Sequence, residues 1–190
     1  FDIAYFRAIP NIIIMVPKDE NELQHMLYTA TLLDGPCTLR YPRGTCIGVG
    51  LDPEFKKLEI GKGELIKEGD DLLILGIGHI LYDAMQVIEE LKCSATIINA
   101  RFVKPLDETL ILQYARKIKN IITLEEATIN GGFGSAVLEL LEDKGIKANV
   151  KRIGIPDTFI EHGKPDIQKK LAGIDKESIK KAIMEMSSRK

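Results

Sequence analysis

The chain has 190 residues and a mass of 21.2 kDa, with 45% hydrophobic and 28% charged residues and a mean hydropathy of -0.01, values that exclude a disordered chain and a multidomain machine. A formal charge of -2 and an isoelectric point near 6.0 supply no positive field for nucleic acid or an anionic membrane surface. The longest apolar runs, residues 12–16 and 72–77, have strand length and fall short of the roughly 18 residues of a membrane span.

Phe1-Asp2-Ile3 lacks an initiator methionine and the cationic start of a signal peptide, which reads as a piece of a longer polypeptide. Residues 11–17 are a β-branched run stopped by Pro17, as a buried strand would be. Asp19 offers a helix N-cap, with Glu20 and Glu22 in the first turn, where carboxylates suit the helix dipole. Leu23, Met26, Leu27, Ala30 and Leu33 then recur at helical spacing, predicting one apolar face that ends at Asp34-Gly35-Pro36. Residues 37–41 read as a second strand. From 44 to 58 no period is visible and glycine and proline recur, which predicts a linker.

Residues 63–67 form an edge-like strand. Strands at 71–76, 95–99, 121–125 and 149–153 then alternate with helices at 80–91, 106–118 and 134–144, and charged helical segments run from Pro165 to the end. Strands separated by helices need crossover connections, so these are expected to lie parallel in a sheet covered on both faces. The fold class is α/β, with residues 1–58 the end of one unit plus linker and residues 59–190 a second unit. The charged run 169–190 reads as a solvated helix face with a frayed tail. Cys37, Cys46 and Cys93 form no C-x-x-C pair and fit a reducing compartment such as cytoplasm or plastid stroma.

Three constellations can carry chemistry. Gly76-Ile77-Gly78-His79 follows a strand and opens a helix, but the third glycine of a dinucleotide fingerprint is missing and Asn99-Ala100-Arg101 stands where its acidic residue is expected; His79 reads better as a helix-start or interface residue. Glu125-Glu126 followed by Gly131-Gly132-Phe133-Gly134-Ser135 could hold an anion at a helix start, or could cap that helix with its own carboxylate; no lysine completes a Walker pattern. His162 reads as a turn residue. In Arg40-Tyr41-Pro42-Arg43-Gly44, Arg43 lies just past a strand end, where ligands gather in open α/β sheets. An arginine fork there can grip a phosphate or form a surface ion pair, and the residues alone do not choose between them.

The ordered set Phe1-Asp2-Ile3-Ala4-Tyr5-Phe6-Arg7, Asp19-Glu20-Asn21-Glu22, Arg40-Tyr41-Pro42-Arg43-Gly44, Arg101-Phe102-Val103-Lys104-Pro105-Leu106-Asp107, Gly131-Gly132-Phe133-Gly134-Ser135 and Ile155-Pro156-Asp157 resembles the transketolase family, in its 1-deoxy-D-xylulose-5-phosphate synthase branch. The resemblance implies a C-terminal portion: the end of the pyrimidine-binding domain, then a three-layer α/β/α domain with a five-stranded, mostly parallel sheet whose first strand is antiparallel. It implies a thiamine-diphosphate and magnesium enzyme, a homodimer when full length, that joins pyruvate to glyceraldehyde 3-phosphate with loss of carbon dioxide and feeds isoprenoid, thiamine and pyridoxal synthesis. By the same comparison Arg43 binds the acceptor phosphate, with Arg40 and Tyr41 in support. The family's cofactor-activating glutamate and its diphosphate and magnesium site match no residue here, so the chain alone is expected to bind neither cofactor nor to turn over. A non-catalytic scaffold, or one subunit of a split thiamine enzyme, is the alternative.

Overall fold

The computed structural model describes residues 1–188. The chain opens with helix α1 (Asp2–Arg7), strand β1 (Ile13–Met15), helix α2 (Glu20–Thr31) and strand β2 (Cys37–Leu39). Asp19 caps α2 as its sequence demands: the Glu22 amide donates to Asp19 Oδ1 at 2.7 Å, while the Glu22 carboxylate reaches back to the Lys18 amide at 2.7 Å, a reciprocal cap in the manner of a capping box. Strands β1 and β2 pair in parallel across the α2 crossover.

The larger part runs β3 (Glu64–Lys67), β4 (Leu72–Gly76), α3 (Ile80–Leu91), β5 (Ala95–Asn99), β6 (Phe102–Lys104), α4 (Glu108–Ala115), β7 (Asn120–Thr128), α5 (Phe133–Asp143), β8 (Asn149–Ile155), α6 (Pro165–Ala172) and α7 (Lys176–Ser187). Its sheet has the order β3-β5-β4-β7-β8, with β3 antiparallel and the other pairs parallel. Every residue of the central strand β4 is buried, as expected for a strand covered on both faces. Leu73 and Leu75 face a core completed by α4, α5 and Ile3 of α1, whereas Leu72 and Ile74 face one built from α3 and α7. The result is the expected three-layer α/β/α arrangement.

Two elements escape the sequence reading. Helix α1 carries no apolar period of useful length. Strand β6 is only three residues long, yet it leaves the larger part and pairs antiparallel with β1, giving a second sheet of order β2-β1-β6. Arg101 makes this possible by taking a left-handed backbone at φ 59°, which turns the chain sharply at the end of β5.

The apolar face predicted for α2 holds only in part: Met26 is buried and Ala30 and Leu33 pack against its cluster. Leu27 is exposed, and the buried residues are Glu22, His25, Met26 and Thr29. Glu22 is covered by Asn99 and Arg101 and Met26 by Met15 and Phe102, whereas His25 and Thr29 are met by the segment 44–58, which has no regular structure but lies along α2 as a strap. Gly48 and Val49 amides donate to Glu20 Oε1, Asp52 N to Asn21 Oδ1, Lys56 N to His25 Nδ1 and Leu58 N to Thr29 Oγ1, all at 2.6–3.1 Å. Backbone donors that no ladder satisfies thus find side-chain acceptors spaced along one helix. Thr29→Val, which keeps the shape and removes the acceptor, is expected to cost about 1 kcal/mol and to speed limited proteolysis within 44–58; an unchanged cleavage rate would mean that the bond does not hold the strap.

Nor is the C-terminal run wholly solvated. Ile179, Ala182, Ile183 and Met186 of α7 are buried, while Lys176 and Lys180 pair with Glu90 of α3. The expected frayed tail falls partly on residues 189–190, which lie outside the described residues.

Candidate functional site

In the larger sheet the chain moves from β4 to β5 on one side and returns to β7 on the other, so the order reverses at the carboxyl ends of β4 and β7, the customary ligand position in open α/β sheets. Gly76-Ile77-Gly78-His79 and Glu125-Glu126 meet there, since Gly76 of β4 is in register with Leu124 of β7. On its other side β7 runs in register with β8 as far as Leu124 opposite Ile153, and the next pair is Thr128 opposite Ile155. Extra residues on one strand make a bulge that re-aims side chains. The two adjacent glutamates leave it in different directions.

Glu125 turns to the start of α5. Its Oε2 accepts the Phe133 amide at 2.8 Å and its Oε1 the Gly134 amide at 2.9 Å, so the capping reading of this glycine-rich turn holds. Burial pushes its carboxyl up to about 7, an effect that the two amides, Arg152 and Arg7 only partly offset. Gly132 is required by space: a Cβ there would lie 2.2 Å from Glu125 Oε2 and 2.3 Å from the Thr128 carbonyl.

Glu126 turns to α3 and α6. Lys169 Nζ lies 2.9 Å from its Oε1, and His79 Nδ1 lies 3.0 Å from its Oε2, though off the direction of a hydrogen bond. Lys169 Nζ also lies 2.9 Å from His79 Nε2, so the three side chains form one cluster. Burial alone would raise the Glu126 carboxyl, but His79 and Lys169 outweigh it and hold the group down to about 2. His79 is the N-cap residue of α3, in keeping with a helix-start role. Lys169 corrects the solvated-face reading: this lysine points inward, whereas Ile167 and Leu171 of the same helix are exposed.

The bulge also frees the main chain. The Glu126 carbonyl accepts from Arg40 Nη2 at 2.5 Å, and Arg40 Nε lies 3.6 Å from Asp2 Oδ2. Arg40 therefore joins the end of β2 to β7 and α1. Tyr41 and Arg43 follow it on an exposed loop, and among the described residues Arg43 has no hydrogen-bonding or ionic partner. His162 is also exposed and away from this cluster's contacts.

The smaller sheet brings a further charged group to the same end. The Arg40 amide donates to Met15 O and the Val16 amide to Arg101 O, so Arg40, Val16 and Arg101 stand in a row. Arg101 Nε donates to Glu22 Oε1 at 2.7 Å, and its Nη2 lies 3.5 Å from Glu64 Oε2. Asn99, at the place where a dinucleotide site has its acidic residue, donates to the same Glu22 at 2.9 Å. Sequence reasoning does not assemble Glu126, His79 and Lys169, because the three are far apart in sequence and no local spacing links them.

The glycine-rich turn at the start of α5 does not fit a diphosphate. The glycine-rich helix start that could cradle one is filled by the Glu125 carboxylate, and among the described residues no three acidic, histidine or cysteine side chains converge to hold a metal.

Comparison with known proteins gives a consistent picture. The family model described as transketolase, C-terminal domain, matches residues 61–179, and that of the transketolase pyrimidine binding domain matches residues 1–47. The 1-deoxy-D-xylulose-5-phosphate synthase of Symbiobacterium thermophilum is 53% identical over 168 residues, 87% of this chain and 26% of that protein. The synthase of Thermosynechococcus vestitus is 50% identical over 190 residues, 97% of this chain and 30% of that protein. The chain thus spans less than a third of the curated relatives it matches. Among solved structures, a split-gene transketolase described as an inactive beta4 tetramer superposes with a TM-score of 0.84 at 25% identity, covering 98% of this chain and 61% of that one. A transketolase from Campylobacter jejuni superposes at 0.69 with 18% identity over 96% of this chain and 27% of its own, a likeness of fold.

Proposed function

The chain belongs to the transketolase family, and we propose that it is the part of a 1-deoxy-D-xylulose-5-phosphate synthase that holds the phosphate of the acceptor aldehyde. In this reading residues 1–58 close the pyrimidine-binding domain and residues 59–190 form the C-terminal domain of a homodimeric transferase that condenses pyruvate with glyceraldehyde 3-phosphate. Thiamine diphosphate and magnesium are assigned to other segments of the polypeptide, because the turn that could cradle a diphosphate is already filled by Glu125. The 190 residues by themselves are therefore expected to show no turnover.

The observation that carries the reading is the free guanidinium of Arg43 beside two committed ones. Arg40 is bound to the Glu126 carbonyl and Arg101 to Glu22, whereas Arg43, past the carboxyl end of β2, is exposed and unpartnered. A planar fork with five donors matches a phosphate dianion. Its contribution is to fix the acceptor's far end so that the aldehyde meets the reacting carbon in one orientation.

Arg43→Ala in the complete polypeptide is expected to lower kcat/KM for glyceraldehyde 3-phosphate roughly 10- to 100-fold, about 1.4–2.8 kcal/mol, with the KM for pyruvate little changed. Steady-state kinetics with each substrate varied in turn checks this. A parental KM for the phosphorylated acceptor together with a lower melting temperature would make Arg43 structural.

The likeness to a split-gene transketolase chain favours one second reading, a subunit that works only with another chain. Activity that appears on adding a separately encoded cofactor-binding chain would support that reading; a single long reading frame containing these residues would exclude it.

A further inference from the structure

The phosphate grip stands on a loop whose two ends are tied differently. Beyond it, Gly48 and Val49 amides are held by the Glu20 carboxylate of α2. Before it, the tie is Arg40, which crosses to the larger sheet and ends on the main chain of Glu126. Residues 41–47 between these ties are all exposed, so the place of Arg43 depends on the ties rather than on packing of its own. Arg43 stands three positions past Arg40, a reach of roughly 10 Å when extended, and Pro42 removes one of the torsions in between.

The Glu126 carbonyl is free to accept because the β7 bulge takes it out of the ladder with β8. An irregular stretch of strand needs something to hold it, and the carboxylate of the same residue is clamped by Lys169 of α6 and flanked by His79 of α3. We infer that Glu126 is a positioning residue for the phosphate grip: its clamped side chain fixes the bulge, the bulge fixes its carbonyl, and the carbonyl fixes Arg40 and with it the loop that carries Arg43. Lys169, far along the chain in α6, then tunes acceptor affinity without touching the acceptor.

This rests on the reading of Arg43 given above, and the test separates the two. In the complete polypeptide, Glu126→Gln and Lys169→Met are each expected to raise the KM for glyceraldehyde 3-phosphate roughly 3- to 10-fold, the size of a misaligned charge-assisted contact. The KM for pyruvate and for unphosphorylated D-glyceraldehyde should stay at the parental value, and Lys169→Arg, which keeps the ion pair, should restore most of the affinity. Glu126→Gln added to Arg43→Ala should cost less than about 2-fold more, because residues acting through one another are not additive.

If Glu126→Gln and Lys169→Met alter phosphorylated and unphosphorylated acceptors alike, or if Glu126→Gln adds its full effect to Arg43→Ala, the coupling through Arg40 is wrong. If Arg43→Ala itself does not discriminate between the two acceptors, the phosphate reading fails first and this inference fails with it. Should Glu126→Gln not fold, Lys169→Met leaves β7 untouched and decides the matter by the same kinetic split.

Discussion

Gly132→Ala should be the most damaging single methyl group that can be added to the glycine-rich turn, costing about 3 kcal/mol or more and lowering the melting temperature by roughly 6–12 °C. The backbone there is extended at φ -79°, so no torsional strain is involved. The cost comes from space, since the new carbon would overlap both Glu125 Oε2 and the Thr128 carbonyl. Relief would require the buried carboxylate to leave the Phe133 and Gly134 amides, uncapping α5. Gly145→Ala makes the comparison: its φ is 64° and nothing lies within 4 Å of the added carbon, so only the left-handed backbone penalty of about 1 kcal/mol is expected. Equal losses in denaturant unfolding of the two variants would show that the turn relaxes around the methyl group.

The adjacent glutamates should act on stability in opposite senses as pH changes. Glu125 has an ordinary value of 4.5 and a folded one of about 7. Between these the unfolded chain has released its proton while the folded chain retains it. Stability therefore falls as pH rises through that window, by up to about 3 kcal/mol, and stays low above it. Glu126, held down to about 2, contributes stability that is full above 4.5 and lost as pH falls toward 2. Denaturant titrations at pH 5, 6, 7 and 8 should show the decline in the parent chain and a nearly flat profile in Glu125→Gln. A decline of the same slope in Glu125→Gln would assign the pH dependence to another group.

Much of this architecture is legible in the sequence because most elements carry strong periodic signals. Helix α3 and strand β5 agree with the reading to the residue, since one is a long amphipathic run and the other a β-branched run between polar turns. The edge strand β3 and the Asp19 cap are legible for similar local reasons, whereas the antiparallel direction of β3 follows only from the family resemblance. Strand β6 is not, because three residues carry no period and its partner β1 lies far away in sequence. The apolar face of α2 misleads because polar side chains are buried when backbone donors need them, and only the folded strap reveals that need. In the site, the neighbours in sequence single out Arg43 as a candidate and a glutamate cap for the glycine-rich turn, while the phosphate role of Arg43 comes from the family resemblance and the choice of Glu125 over Glu126 from the fold. The Glu126 clamp depends on a bulge and on a lysine from a distant helix, and neither leaves a local mark.

The excursion of β6 across to β1 means that the seam visible in the amino-acid sequence near residue 58 is not a seam in the hydrogen bonding. Genetic excision of residues 59–190 would carry β6 away without its partner and leave the β1-facing side of that strand bare. Unpaired strand edges are templates for association with other chains. Anyone expressing the larger half alone should therefore expect clumping to begin at Phe102–Lys104, and a break placed ahead of β1 would keep that edge covered.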